Sequence, residues 1–219
     1  MRSHFDEQLA QFNRELTEMG ALCEEAIALA AKSLVDCDKT LAARIAPLDG
    51  EIDQKERGIE SLCLKLLLQQ QPVARDQRQI SAALKMVSDM ERIGDQAADI
   101  ADLSLYIAQN ATSIPETITK MAEDTVTMVT ESVDSFVKSD LELCRNVIRN
   151  DDLVDDAFNE IKSKLADMIY GGNLDAKTGL DLLMTAKYFE RIGDHAVNIA
   201  EWVEYSITGV HRNNEHQNN

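Results

Sequence analysis

The pentapeptide Glu-Arg-Ile-Gly-Asp occurs twice in this chain, at residues 91–95 and 190–194. Each copy opens and closes on an acid, so Glu91 is four positions from Asp95 and Glu190 four from Asp194. Residues spaced this way share one face of a helix. Two further pairs keep the same step, Asp49 with Asp53 and Asp151 with Asp155. Carboxylates gathered like this repel, by about 4 kcal/mol for two unit charges 4 Å apart at an effective dielectric of 20. Three remedies exist: protonation, a basic partner, or a metal ion. No His or Cys stands at ligand spacing beside them, so a metal would be held by oxygen alone. Divalent or trivalent Mg, Mn, Ca or Fe suit that donor set.

The pairs belong to a longer repeat. The pentapeptides lie 190 − 91 = 99 residues apart, and each is followed by an Ala and an Ile-Ala pair, Ala97 with Ile100-Ala101 and Ala196 with Ile199-Ala200. The other acidic pairs lie 151 − 49 = 102 and 155 − 53 = 102 apart. The same 102 separates Asp38 from Asp140, Leu41 from Leu143, Ile45 from Val147 and Ile52 from Val154. The register therefore changes by three residues between the last two helices of each half, as an indel confined to a turn would do.

Apolar steps of three and four run through the chain. Leu9, Phe12, Leu16, Met19, Cys23, Ala30 and Leu34 mark a first helix that stops near residues 36–38. Asp38 is expected to cap a second, carrying Leu41, Ile45, Leu48, Ile52, Ile59, Leu62 and Leu66 up to Gln71-Pro72. A third runs from about Asp76 to Asn110. After residues 111–115 the plan repeats: Ile118 to Phe136, then Leu143 to Ile169 capped by Asp140, then Asp175 to Ile207 after Gly171-Gly172-Asn173. The expected fold class is all-α: two tandem pseudo-symmetric three-helix bundles of six long antiparallel helices. The first spans 1–111, the second 112–208, and a polar tail over 209–219 is expected to be disordered. Helices of roughly 30 residues give a rod about 45 Å or more long.

In phase, the acids of the third and sixth helices fall at steps where the apolar stripe Leu84, Val87, Ala98, Leu105 or Leu183, Ala186, Val197 calls for a core residue. A mid-helix Gly costs roughly 1 kcal/mol relative to Ala. Its double placement, at Gly94 and Gly193, points to a close approach. Arg92 and Arg191 lie about 100° around the helix from their Glu neighbours. Lys187 is within reach of Glu190, but the matching residue in the first half is Ser88. A repeated site without a repeated base favours metal. Asp99, Asp102, Asn198 and Glu201 extend the acidic face and read as a solvated face ahead of outer ligands; His195, one step off it and matched by Gln96, does not read as a ligand.

Composition narrows the function classes. The 219 residues carry a formal charge of −17, which repels nucleic acid and anionic membranes and suits cations or a basic protein patch. No stretch is apolar for the length needed to insert directly in a bilayer, and no apolar signal core follows Met1. Cys23, Cys37, Cys63 and Cys144 form no CxxC pair and read as small buried residues of a reducing compartment. A cytoplasmic protein is expected.

The four pairs, and above all the strings over 91–102 and 190–201, resemble the PhoU family of phosphate-signalling regulators. The resemblance covers the chain up to its tail. It implies metal ions held by Asp49, Asp53, Glu91, Asp95, Asp151, Asp155, Glu190 and Asp194. It also implies a homodimer and a non-enzymatic adaptor between the ATPase-driven phosphate ABC transporter and the membrane sensor histidine kinase of a phosphate regulon. Such an adaptor restrains uptake and signalling when phosphate is plentiful. Two alternatives compete. A carboxylate-bridged dimetal enzyme would need Glu-x-x-His steps, where Gly94 and Gly193 stand instead. A purely structural bundle would bind no metal.

Overall fold

The structure, a computed structural model, describes residues 2–69, 73–110 and 114–210. The described residues form seven helices: α1 (Arg2–Asp36), α2 (Lys39–Ala42), α3 (Ile45–Gln69), α4 (Ala74–Asn110), α5 (Glu116–Lys138), α6 (Leu141–Tyr170) and α7 (Ala176–Thr208). Six are long, and no strand occurs among these residues. The fold is all-α, with α1, α3 and α4 forming one three-helix unit and α5, α6 and α7 the other.

The repeat is visible in how the helices stop and start. α1 and α5 both run into a left-handed residue, Cys37 (φ 53°) and Ser139 (φ 51°), which are 102 positions apart. The next amide reaches back to close the helix end, Asp38 N–H to Ser33 O at 3.1 Å and Asp140 N–H to Ser135 O at 2.9 Å. The same two aspartates then cap the following helix. Asp38 accepts from the Thr40 amide, and Asp140 from those of Glu142 and Leu143.

One departure from the expected second helix follows from a single residue. That helix is divided into α2 and α3, whereas its counterpart α6 runs unbroken. Pro47 is the third residue of α3, and Arg149 stands at the matching position in α6. Proline has no N–H to offer the carbonyl of residue 43, and its ring crowds that carbonyl. It is tolerated in a first turn, so a new helix begins just before it.

The last two helices of each unit are antiparallel. Gly94 of α4 faces Asp49 and Ile52 of α3, while Ser88 faces Glu56, so numbers rise on one helix as they fall on the other. Gly193 against Asp151 and Val154, with Lys187 against Phe158, shows the same for α6 and α7. The units join through α4 against α7, the most extensive pairing in the molecule, and α1 against α5. Phe12 meets Phe136 edge-on at 6.1 Å between ring centres. The buried apolar side chains of both units form one continuous cluster. Cys23, Cys63 and Cys144 are buried in it, but Cys37, expected inside, is exposed at its left-handed turn.

The boundary expected at residue 111, the Gln71-Pro72 turn and the tail beyond Val210 lie outside the described residues. Among the described residues, no helix is long and apolar enough to cross a membrane.

Candidate metal centres

Each unit brings its four acids to one helix pair. In the first, Asp49 and Asp53 come from α3 and Glu91 and Asp95 from α4. In the second, Asp151 and Asp155 come from α6 and Glu190 and Asp194 from α7. Their proximity shows in their acidities. Burial, then the charges of Asp95, Asp53 and Asp99, holds Asp49 above the usual carboxylate range. Burial, then Asp95, Glu56 and Asp53, raises Glu91; burial, then Asp53 and Asp99, raises Asp95. In the second unit burial, followed by Asp155, Asp194, Asp152 and Glu190, pushes Asp151 up to about 6. Burial raises Asp155 and Asp194 as well; Glu190 adds to both, and the Lys187 ammonium opposes it.

The glycines bring the helices together. A Cβ built on Gly94 would stand 3.0 Å from both Asp49 Oδ1 and Ile52 Cδ1. On Gly193 the nearest atoms, Asp151 Oδ1 and Val154 Cγ1, are 3.4 Å away. The close approach expected of these glycines is therefore that of the facing helix, whose aspartate lies directly over the missing side chain.

The expectation that the acids of the third and sixth helices take core steps is corrected by the structure. Ile93, Gly94 and Ala97, like Ile192, Gly193 and Ala196, take the buried steps. Asp95, Asp155 and Asp194 are exposed, and Asp49, Asp53, Glu91, Asp151 and Glu190 half-buried. The reason is phase: the glycine occupies the contact line, and the acids one position and three positions from it flank that line. The sites are clefts at the rim of each unit, reachable by an ion from solvent.

Neutralisation by basic side chains differs between the units. Arg92 lies 4.0 Å from Asp89 and its charge also reaches Glu91, and the exposed Arg57 lies 3.5 Å from the half-buried Asp53. In the second unit Lys187 Nζ is ion-paired with Glu190 Oε2, as its reach along the helix led us to expect, and Ser88 at the matching position of the first unit supplies no such base.

An oxygen-ligated cation fits the first cleft on one observation above all. Asp49 Oδ1 is buried and has no hydrogen-bond partner. A buried carboxylate oxygen left bare costs several kcal/mol at the upper end. Among the described residues no three His, Cys, Asp or Glu side chains stand together ready to hold one ion.

Sequence reasoning passed over Glu56, which faces Glu91 and Asp53 and accepts from the Ser88 hydroxyl. Its signal was available: Glu56 follows Asp53 by three residues, on the same face. It also read Asp99 as solvated. Asp99 is exposed, yet its charge reaches Asp49 and Asp95, and it accepts from the Tyr188 hydroxyl of α7.

Known proteins are similar to this chain in sequence and in fold. A phosphate-specific transport system accessory protein PhoU homolog of Synechocystis sp. is 34% identical over 211 residues, 95% of this chain and 93% of that protein. The homolog of Pseudomonas aeruginosa is 32% identical over 209 residues, 94% of this chain and 86% of its own. The crystal structure of PhoU from Pseudomonas aeruginosa matches with a TM-score of 0.88 at 31% identity, covering 94% of this chain and all of that one. The phosphate transport system regulatory protein PhoU from Streptococcus pneumoniae shares the fold, with a TM-score of 0.86 at 24% identity over 94% of this chain and 98% of that one. The model of the PhoU domain matches twice, over residues 16–104 and 118–203, and the chain belongs to that family.

Proposed function

We propose that this protein is an accessory regulator of a phosphate-specific transport system, acting as a cytoplasmic, non-enzymatic adaptor whose two rim clefts hold metal ions. Relatives of nearly full overlap bear the accessory-protein name, which supports the transport role. The adaptor would restrain both the transporter's ATPase subunit and the sensor histidine kinase of the phosphate regulon, as a homodimer. Asp49, Asp53, Glu91 and Asp95 would hold ions in the first cleft, and Asp151, Asp155, Glu190 and Asp194 in the second. Bound ions would supply positive charge at the rim, available to a phosphate or to a partner's carboxylate. The observation that carries the metal reading is the bare, buried Asp49 Oδ1 within a carboxylate arrangement that the chain builds twice.

The test is metal analysis of protein purified without chelator, followed by melting with and without one. Bound metal and a lower melting temperature after chelation are expected, since a ligand at a hundred times its dissociation constant adds about 2.7 kcal/mol of stability. The double variant Asp95→Asn with Asp194→Asn should lose most of the metal and the restraint on the kinase. Unchanged metal content and unchanged restraint would sink the reading.

A further inference from the structure

The two clefts differ at one interhelical contact, and both sides of it change together. In the first unit the contact joins Ser88 of α4 to Glu56 of α3, with the hydroxyl donating to the carboxylate. The matching positions are Lys187, 187 − 88 = 99, and Phe158, 158 − 56 = 102. There the Lys187 ammonium lies 5.4 Å from the centre of the Phe158 ring and is ion-paired with Glu190 Oε2. A hydroxyl against a carboxylate has become an ammonium against an aromatic face. The local charge changes from that of an acid to that of a base, a difference of two units.

We propose that Lys187 is the residue that makes the two clefts unequal: its ammonium stands in for a cation beside Glu190, so divalent ions fill the first cleft at lower concentration than the second. The inference rests on the metal-binding reading above. Glu190 is only 14% exposed, so its pairing is weakly screened, and the ammonium's charge also reaches Asp155 and Asp194. The first cleft has no equivalent. Its bases, Arg57 beside Asp53 and Arg92 whose charge reaches Glu91, carry guanidinium side chains 66% and 60% exposed, where an ion pair is worth little. Asp152 and Asp156 flank the second cleft, but both are exposed and screened. An ion entering the second cleft must displace the ammonium. Lysine suits that role, because it is a point charge on a flexible stem and the Phe158 face gives it a resting place.

Titration of the metal-free protein with Mn²⁺, followed by calorimetry and by the paramagnetic resonance of free Mn²⁺, tests this. Wild type should show two classes of site. Asp95→Asn should abolish the tighter class and Asp194→Asn the weaker. Lys187→Ser should tighten the weaker class roughly tenfold, the effect of removing one half-screened unit charge. Ser88→Lys, an independent variant at the matching half-buried position of the other cleft, should loosen the tighter class by a similar factor. If neither substitution moves its class, the inference fails while the metal reading stands. If wild type binds no Mn²⁺, the metal reading itself falls, and this inference with it.

Discussion

Asp151 is the acid on which the cleft's electrostatics press hardest. Its carboxyl titrates at about 6, raised first by burial and then by Asp155, Asp194, Asp152 and Glu190. In the unfolded chain an Asp titrates near 3.9. Between those values the folded metal-free protein keeps a proton that the unfolded chain has released, so rising pH favours unfolding. The contribution is complete below about pH 4 and gone once pH has risen through about 6. Wild type should therefore lose stability relative to Asp151→Asn between pH 4 and 7, by on the order of 1 kcal/mol after solvent screening. Denaturant midpoints of the two proteins at several pH values check it, and parallel curves would contradict it. A saturating divalent ion should reverse the trend, because ligation needs the ionised form.

At the scale of helices, the glycines set how closely each pair approaches, and the two pairs differ in how much room they leave. A methyl at residue 193 meets its neighbours at ordinary contact distance, 3.4 Å. Gly193→Ala should then gain most of the helix-propensity difference, about 1 kcal/mol. At residue 94 the methyl would lie 3.0 Å from Ile52 Cδ1, in a side chain that is fully buried, and from Asp49 Oδ1. Asp49 is half-buried, but Ile52 is packed in the core and would have to give way. Gly94→Ala should cancel the propensity gain and lower stability by about 1 kcal/mol, an overpacking cost. Urea midpoints at unchanged m-value separate the two variants. Equal gains from both would mean that α3 yields where the buried Ile52 says it should not. The divided α2 and α3 belong to this scale too: one proline removes the symmetry that the caps Asp38 and Asp140 otherwise preserve.

In the whole molecule the repeat closes on itself across α4 and α7. Asp89 of α4 accepts from His195 Nδ1 at 2.9 Å and from Asn198 Nδ2 at 3.3 Å. Tyr188, the counterpart of Asp89, donates to Asp99, the counterpart of Asn198. The same pair of positions thus meets twice around a pseudo-twofold, with different chemistry at each end. Asp89 is buried, so His195→Ala leaves a desolvated carboxylate short of a donor and should cost about 1–3 kcal/mol. Because the core is continuous, that loss should move one cooperative transition, not half of the molecule. Trp202, the single tryptophan, reports on α7, whereas far-ultraviolet circular dichroism reports on every helix. The two signals should change together in wild type and in the variant. Separate midpoints would show that the units unfold independently.

The sequence by itself determined the six long helices, the duplication and the placing of the acidic pairs on matching helices, because apolar period, Asp caps and repeat spacing are written along the chain. It also gave all eight acids their helices and their mutual faces. Their depth was not legible. Whether Glu91 and Asp95 line the core or its rim depends on which residue of the stripe touches the facing helix, and only packing placed Gly94 on that line. The seating of Lys187 over Phe158, and the partnership of Asp89 with His195, were likewise decided by tertiary structure, whereas the reach of Lys187 to Glu190 along one helix was legible. Side chains distant in the chain interact according to how helices are rotated about their axes, and a difference of one residue step, about 100°, exchanges buried for exposed.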